Sequence, residues 1–337
     1  MRIGVTFDLR SDYLALGYSP EETAEFDSEI TIDAICSALT ALGLAPVRIG
    51  GLKNLVERLA AGDRYDAVFN FCEGLNGGAR ESQVPALLEA YDIPCVFSDA
   101  LTLALSLDKA MAKRVVRDAG VPTADFRVIE RLADLKKIDL PFPLFLKPIH
   151  EGSGKGIDAN SKVNNAGELR KTASLLLEKF DEPVLVETFL EGREFTVGIL
   201  GTGKDAEVLG VSEIVPSVNW VGDGYGYQNK DEDWRDKVRI VEADSENARA
   251  AGKVALDAWR VLGCRDGGRV DVRCDADGRH HFIEVNPLAG LRPEHSDLCI
   301  IAEHRGLSYY QLIGRIMQSF FKRHPQLKTK ARASAAA

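Results

Sequence analysis

The sequence has no CxxC pair, no basic excess, no apolar run that could cross a bilayer, and neither of the two common glycine signatures for nucleotides. Each absence excludes something. The six cysteines, at 36, 72, 95, 264, 274 and 299, are scattered, so they read as reduced thiols of a cytoplasmic protein, not as a disulfide framework or zinc site. A net charge of −9 argues against a nucleic-acid partner, which calls for a basic face. No stretch is long and apolar enough for a membrane span, so no membrane partner is expected. "MRIGVTFDLRSDY" at the amino terminus is a strand with charges close behind, not a signal sequence. GxxxxGK[ST] and GxGxxG are both missing, which removes the P-loop and the Rossmann fingerprint. What is present is ordinary for a globular chain: 337 residues, 45% hydrophobic and 28% charged, enough for two or three domains.

"RIGVTF", "APVRIG", "YDAVFNF" and "IPCVFS" read as buried strands. Between them lie a helix over 28–42, with Ile32, Ile35, Leu39 and Leu42 on one stripe and Gly43 as its stop, and the helix "ESQVPALLEAY". This series over 1–104 predicts an α/β domain with a parallel sheet. Residues 9–27 form a long polar connection of the kind that often carries function. Over 105–184 the pattern becomes a small α+β domain: a helix at 106–119, the strand "FPLFLKP", a glycine loop and the amphipathic helix "ELRKTASLLLEKF". Residues 185–325 mix strands with the loop "VGDGYGYQNKDEDW", a helix at 245–262 and a closing helix at 308–323. The tail, 326–337, is low in complexity and expected to be disordered.

Within this last part, "GRVDVRCDADGRHHFIEVN" holds two strand-like runs around Asp277-Gly278, a strong two-residue hairpin turn. That turn sets Asp271 opposite Glu284 and Arg269 opposite Asn286. Alternation puts all four on one face and Val270, Val272, Ile283 and Val285 on the core face. Two acids directly opposite each other destabilise a sheet unless something positive lies between them. Mg²⁺ takes carboxylate and amide oxygens and shares them with phosphates. A solvated polar face is the alternative.

Three further stretches carry chemistry. "HEGSGKGID" brings Gly152, Gly154 and Gly156 after a strand containing Lys147. Closely spaced glycines let backbone N–H groups wrap a phosphate, and Ser153 and Lys155 add donors; the alternative is a flexible hairpin tip. Lys147 lies in the apolar run "PLFLKP", where a nucleotide phosphate would satisfy it, or where an edge strand would let it reach solvent. "VLVETFLEGREF" supplies Glu187, Leu190 and Glu194, the acid and apolar types an adenosine site needs, or else a glutamate-rich surface turn.

Taken in order, these motifs resemble the ATP-grasp superfamily and, within it, the D-alanine–D-alanine ligases, along most of the chain. "SLDKAMAK" looks like the helix carrying the first ATP lysine, which falls on Lys109. "LKPIHEGSGKG" is similar to the family's "VKP…EGSSVG", placing the second ATP lysine on Lys147 and the loop serine on Ser153. "VETFLEGREFTVGIL" resembles the adenosine hinge, with Glu187, Leu190 and Glu194. "GRVDV…FIEVN" resembles "GR(I/V)D…EAN", which assigns the oxyanion arginine to Arg269 and the metal ligands to Asp271, Glu284 and Asn286. The implied fold has three domains: an N-terminal parallel-sheet domain, a small central lid domain and a C-terminal domain with an antiparallel sheet, with ATP between the last two.

The substrate end departs from the family. Where the family reads "N(T/S)xPGMTxxS", this chain reads "NPLAGLRPEHSDL" with one extra residue. "HGxxGEDG" becomes "CEGLNGGARES". The family's amine-holding glutamate aligns best with Asp27, and Tyr225 or Tyr227 stands for its loop tyrosine. Arg292 or Ser296 is expected to grip an acidic group of a substrate other than D-alanine; the alternative is an Arg292–Glu294 surface pair.

The implied reaction is ATP-dependent carboxylate–amine ligation of amino acids or a small peptide. An acyl phosphate and ADP form first, two Mg²⁺ neutralise phosphate charge, and Arg269 and the backbone at Gly290 stabilise the oxyanion. Ser153's loop excludes water from the acyl phosphate. A small-molecule kinase on the same fold and a non-catalytic nucleotide-binding protein are the competing readings, and a homodimer is left open.

Overall fold

The computed structural model describes residues 1–215 and 238–327. The 221–234 loop with Tyr225 and Tyr227, and the tail from 328 onward, lie outside the described residues. Gln326 and Leu327 are described as part of a helical turn, and Leu327 packs on the core.

β1 (Arg2–Phe7), β2 (Ala45–Gly50), β3 (Ala67–Phe71) and β4 (Cys95–Val96) form a parallel sheet in the order β2-β1-β3-β4. β1 and β3 are apolar on both faces because helices cover both. The 9–27 connection is not wholly irregular; it contains α1 (Arg10–Ala15). α2 (Glu29–Ala41) follows, starting at Ser28, with Ile32, Ile35 and Leu39 fully buried. Leu42, expected on the same stripe, falls just past the helix end and is 43% exposed. α3 (Leu52–Ala60) was not anticipated, and α4 (Gln83–Ala90) was.

The helix expected at 106–119 is two helices. α5 (Ala100–Leu107) and α6 (Lys109–Asp118) break at Asp108, whose carboxylate accepts the Met111 N–H at 2.9 Å as an N-cap. The break makes Lys109 the first residue of α6. It also sets Lys109 and Lys113 one turn apart on the same side.

β5 (Phe126–Ile129), β6 (Leu144–Pro148), β7 (Lys162–Val163) and β8 (Val184–Thr188) form the central antiparallel sheet, ordered β5-β8-β6-β7, with α7 (Ala166–Phe180) packed on it. β8 pairs with β5 and β6, so this sheet runs past the expected boundary at 184. The third sheet has five antiparallel strands in the order β11-β10-β9-β12-β13. These are β9 (Glu194–Leu200), β10 (Glu207–Ile214), β11 (Val238–Val241), β12 (Gly267–Cys274) and β13 (His280–Asn286). α8 (Glu246–Val261) covers one face, with Trp259 fully buried against it. α9 (Asp297–His304) and α10 (Tyr309–Arg323) cover the other and share a core with β1 and α2 through Leu298, Leu312 and Ile313. The N-terminal and C-terminal sheets are thus held by one continuous apolar cluster. The central sheet has its own, built around Leu144, Leu146 and Val186.

Candidate active site

β12 and β13 pair as expected at the face of interest: Arg269 opposite Asn286 and Asp271 opposite Glu284. The route to that register is different. Of Asp277 and Gly278 only Gly278 takes a positive φ, 80°. The Gly278 N–H donates to Asp275 O at 3.0 Å and the Asp275 N–H to Arg279 O at 2.9 Å. The tip is therefore a three-residue loop and not a two-residue turn. A β-bulge beside Asp271 then restores the register. The bulge has a second effect. Phe282, not Ile283, enters the core, and Ile283 turns into a cavity next to Glu284.

Asp271 accepts hydrogen bonds from Thr196 Oγ1 at 2.8 Å and from the Arg269 guanidinium. Burial works against the charge on Arg269, but Asp271, Asp297 and Glu284 outweigh it and hold the guanidinium ionised. Asp297 Oδ2 lies 3.8 Å from Arg269 Nε. Lys109 and Lys147 converge on the opposite carboxylate, with Nζ atoms 3.8 and 3.9 Å from Glu284 Oε2. Among the described residues no three His, Cys, Asp or Glu side chains are grouped as metal ligands. The set here is two facing carboxylates plus an amide, an incomplete oxygen shell of the type Mg²⁺ finishes with phosphate and water.

Lys147 is not an edge lysine. β6 lies between β8 and β7, and Lys147 is 3% exposed. Its Nζ is 3.1 Å from Glu187 Oε1, and Lys113 Nζ is 2.7 Å from Glu187 Oε2. Burial alone would raise the Glu187 pKa, yet the two lysines reverse this and hold it below the usual carboxylate range. Lys147 is held above its usual value: burial opposes its charge, and Glu187 and Glu284 overcome that. Lys113, fully enclosed, is pushed down by burial more than Glu187 can recover. The sequence reading missed Lys113, although its position one helical turn from Lys109 was a usable signal.

Two cavities meet at Lys109 and Glu284, which line both. The smaller, about 70 Å³, runs between the central and C-terminal sheets. Lys147, Glu187, Leu190, Glu194 and Asp271 reach it, and Ile283 closes its apolar side. Phe189 stands at the same wall, stacked with Phe145 at 5.9 Å and capped by the Arg273 guanidinium at 4.8 Å. Arg273 also donates to Glu194 at 3.1 Å.

The larger cavity, about 560 Å³, lies between the N-terminal and C-terminal sheets. Arg269, Asn286, Gly290, Arg292 and Ser296 line it from one side. Asp27 and Ser153 line it from the other. Apart from Tyr225 and Tyr227, which lie outside the described residues, and Gly156, which lines neither, the site residues expected from the sequence reach one cavity or the other. Ser153 takes a left-handed φ of 50°, which a serine holds only when its surroundings require it. Ser296 Oγ accepts the Arg292 N–H at 3.0 Å. Among the described residues the Arg292 guanidinium makes no ion pair, so the expected alternative of a pair with Glu294 is absent. Its charge acts on Asp27 instead. Burial pushes Asp27 up to about 6, with Thr31 and Arg292 pulling the other way.

Lys155 departs from its expected part as a phosphate donor. It is 8% exposed, pairs with Glu151, and lies 3.0 Å from Glu25 Oε2, which also accepts from Arg80 at 2.9 Å. The glycine loop is pressed against this group: a Cβ on Gly152 would come within 2.1 Å of Glu25 Oε1. Burial raises Glu25, and Arg80 and Lys155 more than compensate, leaving it low. Glu25, Glu73, Arg80 and Glu81 were not singled out from the sequence. For Glu73, Arg80 and Glu81 the signal was the departure at "CEGLNGGARES"; Glu25 lies in the long polar connection 9–27.

A family model described as D-ala D-ala ligase C-terminus matches residues 115–318. A D-alanine–D-alanine ligase from Bordetella petrii is 37% identical over 267 residues, covering 78% of this chain and 77% of that one. Among solved structures, a D-alanine–D-alanine ligase from Bacillus anthracis complexed with ATP superposes with a TM-score of 0.72 at 22% identity, covering 97% of this chain and 99% of that one. The VanG D-Ala:D-Ser ligase from Enterococcus faecalis gives 0.74 at 24% identity, covering 95% and 99%. At these identities the two structures speak for the fold. With the family model and the curated relative, the conclusion is that the chain belongs to the D-alanine–D-alanine ligase family of the ATP-grasp superfamily and is an ATP-dependent, ADP-forming ligase.

Proposed function

We propose that the protein joins two amino acids, or an amino acid and a small peptide, in the cytoplasm, and that its acceptor is not limited to D-alanine. The observation that carries this reading is the charge layout where the two cavities meet: Lys109, Lys147 and Arg269 surround the facing pair Asp271 and Glu284.

ATP supplies the phosphoryl group that activates a substrate carboxylate, and Mg²⁺, as two ions in this reading, would neutralise phosphate charge when bound. Asp271, Glu284 and Asn286 would hold the metal. Lys109 and Lys147 hold phosphate oxygens as point charges. Glu187, Leu190 and Glu194 receive the adenosine, with the Phe189 ring and Ile283 as further apolar wall. Arg269 and the Gly290 backbone take up oxyanion charge as the amine attacks the activated carbonyl. Ser153's loop shields that carbonyl from water. Asp27 faces the substrate amine, and Arg292 and the free Ser296 hydroxyl hydrogen face the acceptor carboxylate. We also divide the chain into functional units at 1–104, 105–188 and 189–327, moving the second boundary so that β8 stays with its sheet. The test is a phosphate-release screen over pairs of amino acids with mass detection of products. A joined product with ADP supports the reading; a phosphorylated, unjoined product favours the kinase.

A further inference from the structure

We infer that Glu73 and Glu81 form an ammonium-binding recess separate from Asp27, so that one of the two joined substrates carries a second basic group besides its α-amine. The inference rests on the ligase reading of the same site and adds the chemical class of one substrate.

Four carboxylates of the N-terminal part line the larger cavity: Glu25, Asp27, Glu73 and Glu81. They are not equivalent. Glu25 is answered by Arg80 and Lys155 at 2.9 and 3.0 Å. Asp27 makes no side-chain hydrogen bond or ion pair among the described residues, but the charge of Arg292 acts on it, at the end of the cavity formed by the 292–298 segment. Glu81 is nine-tenths buried, at 9% exposed, faces the cavity, and makes no hydrogen bond or ion pair among the described residues. Glu73 likewise keeps surface toward the cavity and has no such partner among the described residues.

The cations whose charge acts on Glu81, Arg80 and Lys109, are committed elsewhere. Arg80 donates to Glu25, and Lys109 donates to the Glu151 carbonyl and leans toward Glu284. An enclosed carboxylate without a donor is costly, and native proteins rarely leave one so. The chemistry agrees: burial pushes Glu81 up to about 7, only partly offset by Arg80. Burial and the neighbouring charge of Glu81 push Glu73 well above the usual range. The corner lacks one positive charge. An ammonium, with three donors in a compact head, supplies both the charge and the hydrogen bonds for two carboxylates. Asp27 is then left for the α-amine, and the cavity, at about 560 Å³, has room for a side chain longer than that of alanine.

The experiment is calorimetric titration of the full-length protein, held with a non-hydrolysable ATP analogue and magnesium. The ligands are both enantiomers of lysine, ornithine and 2,4-diaminobutyrate, each beside its uncharged match of similar length: norleucine, norvaline and 2-aminobutyrate. At least one diamino acid is expected to bind about tenfold or more tightly than its match. In Glu81→Gln that ratio should fall at least about fivefold. Glu73→Gln gives a second reading if the first variant does not fold, as judged by circular dichroism. Ratios within about twofold for every pair, or a ratio unchanged in both variants, would overturn the inference. A nucleotide assay separates this from the parent reading. ADP release with uncharged amino acids only would sink the recess and spare the ligase. Tight diamino binding without ADP release under any pairing would do the reverse.

Discussion

The smaller cavity keeps its charges in pairs fixed by strands and one helix, whereas the larger keeps several unpaired on loops and a short helical turn. Lys113 and Lys147 clamp Glu187, Arg273 holds Glu194, and Arg269 with Thr196 holds Asp271. In the larger cavity Arg292, Glu73 and Glu81 have no ion-pair partner among the described residues. Paired, buried charges resist displacement, because breaking one pair strands the other charge. Unpaired groups on loops are available to whatever ligand completes them. On the proposed assignment, the nucleotide end is therefore the rigid and generic one, and the substrate end is where differences in what the chain accepts are expected.

The comparison can be broken most severely at Glu187. Glu187→Leu leaves Lys113 enclosed without an ion-pair partner and Lys147 with only the more distant Glu284, and should cost about 3–5 kcal/mol in chemical denaturation. A loss under about 1 kcal/mol would mean that the clamp is not structural. At the junction of the cavities, Glu284→Ala and Asn286→Ala should each lower turnover about 100-fold or more at saturating magnesium, with circular dichroism unchanged. Full activity in either variant would remove the metal assignment of that face. At the substrate end, Arg292→Ala should cost about 10- to 150-fold in kcat/KM, the loss of one charge-assisted contact to a carboxylate. A change under about threefold would return Arg292 to the surface.

The smallest effect concerns pH. Hydrogen bonds that the His150 ring donates to the Asp108 and Glu182 carboxylates raise His150, which leads into the glycine loop, to about 9. An unfolded histidine titrates near 6.5. The folded state therefore binds the extra proton between these values. The stabilisation is complete below about pH 6.5 and is lost as pH rises through about 9, at less than about 1.4 kcal/mol per unit. His150→Gln should flatten stability across that window, as read by denaturation at a series of pH values.

Much of the smaller cavity could be read from the chain. Strands alternate strictly, so Arg269, Asp271, Glu284 and Asn286 declared their common face. Even there the correct register came by way of a wrong turn, because a three-residue loop and a bulge cancel each other. Ile283 shows the cost: one bulge moved it from the core to the cavity wall. Lys113 was hidden because a buried lysine looks in sequence like any polar residue on a helix. The larger cavity was less legible for a different reason. Glu25 and Glu73 lie on connections with no periodicity, Arg80 and Glu81 lie in the short helical turn that leads into α4, and their meeting depends on how β1 and β3 place the segments that follow them side by side. The break at Asp108 is intermediate. The capping aspartate was visible, but the helix in front of it hid the restart.

Product analysis by mass and nucleotide chromatography, after incubation with ATP, magnesium and amino-acid pairs, tests the ligase reading most directly. ADP, phosphate and a joined product are expected in equal amounts, with a pair other than two D-alanines reacting at the highest kcat/KM. AMP as the nucleotide product, or D-alanyl-D-alanine as the best product, would contradict it.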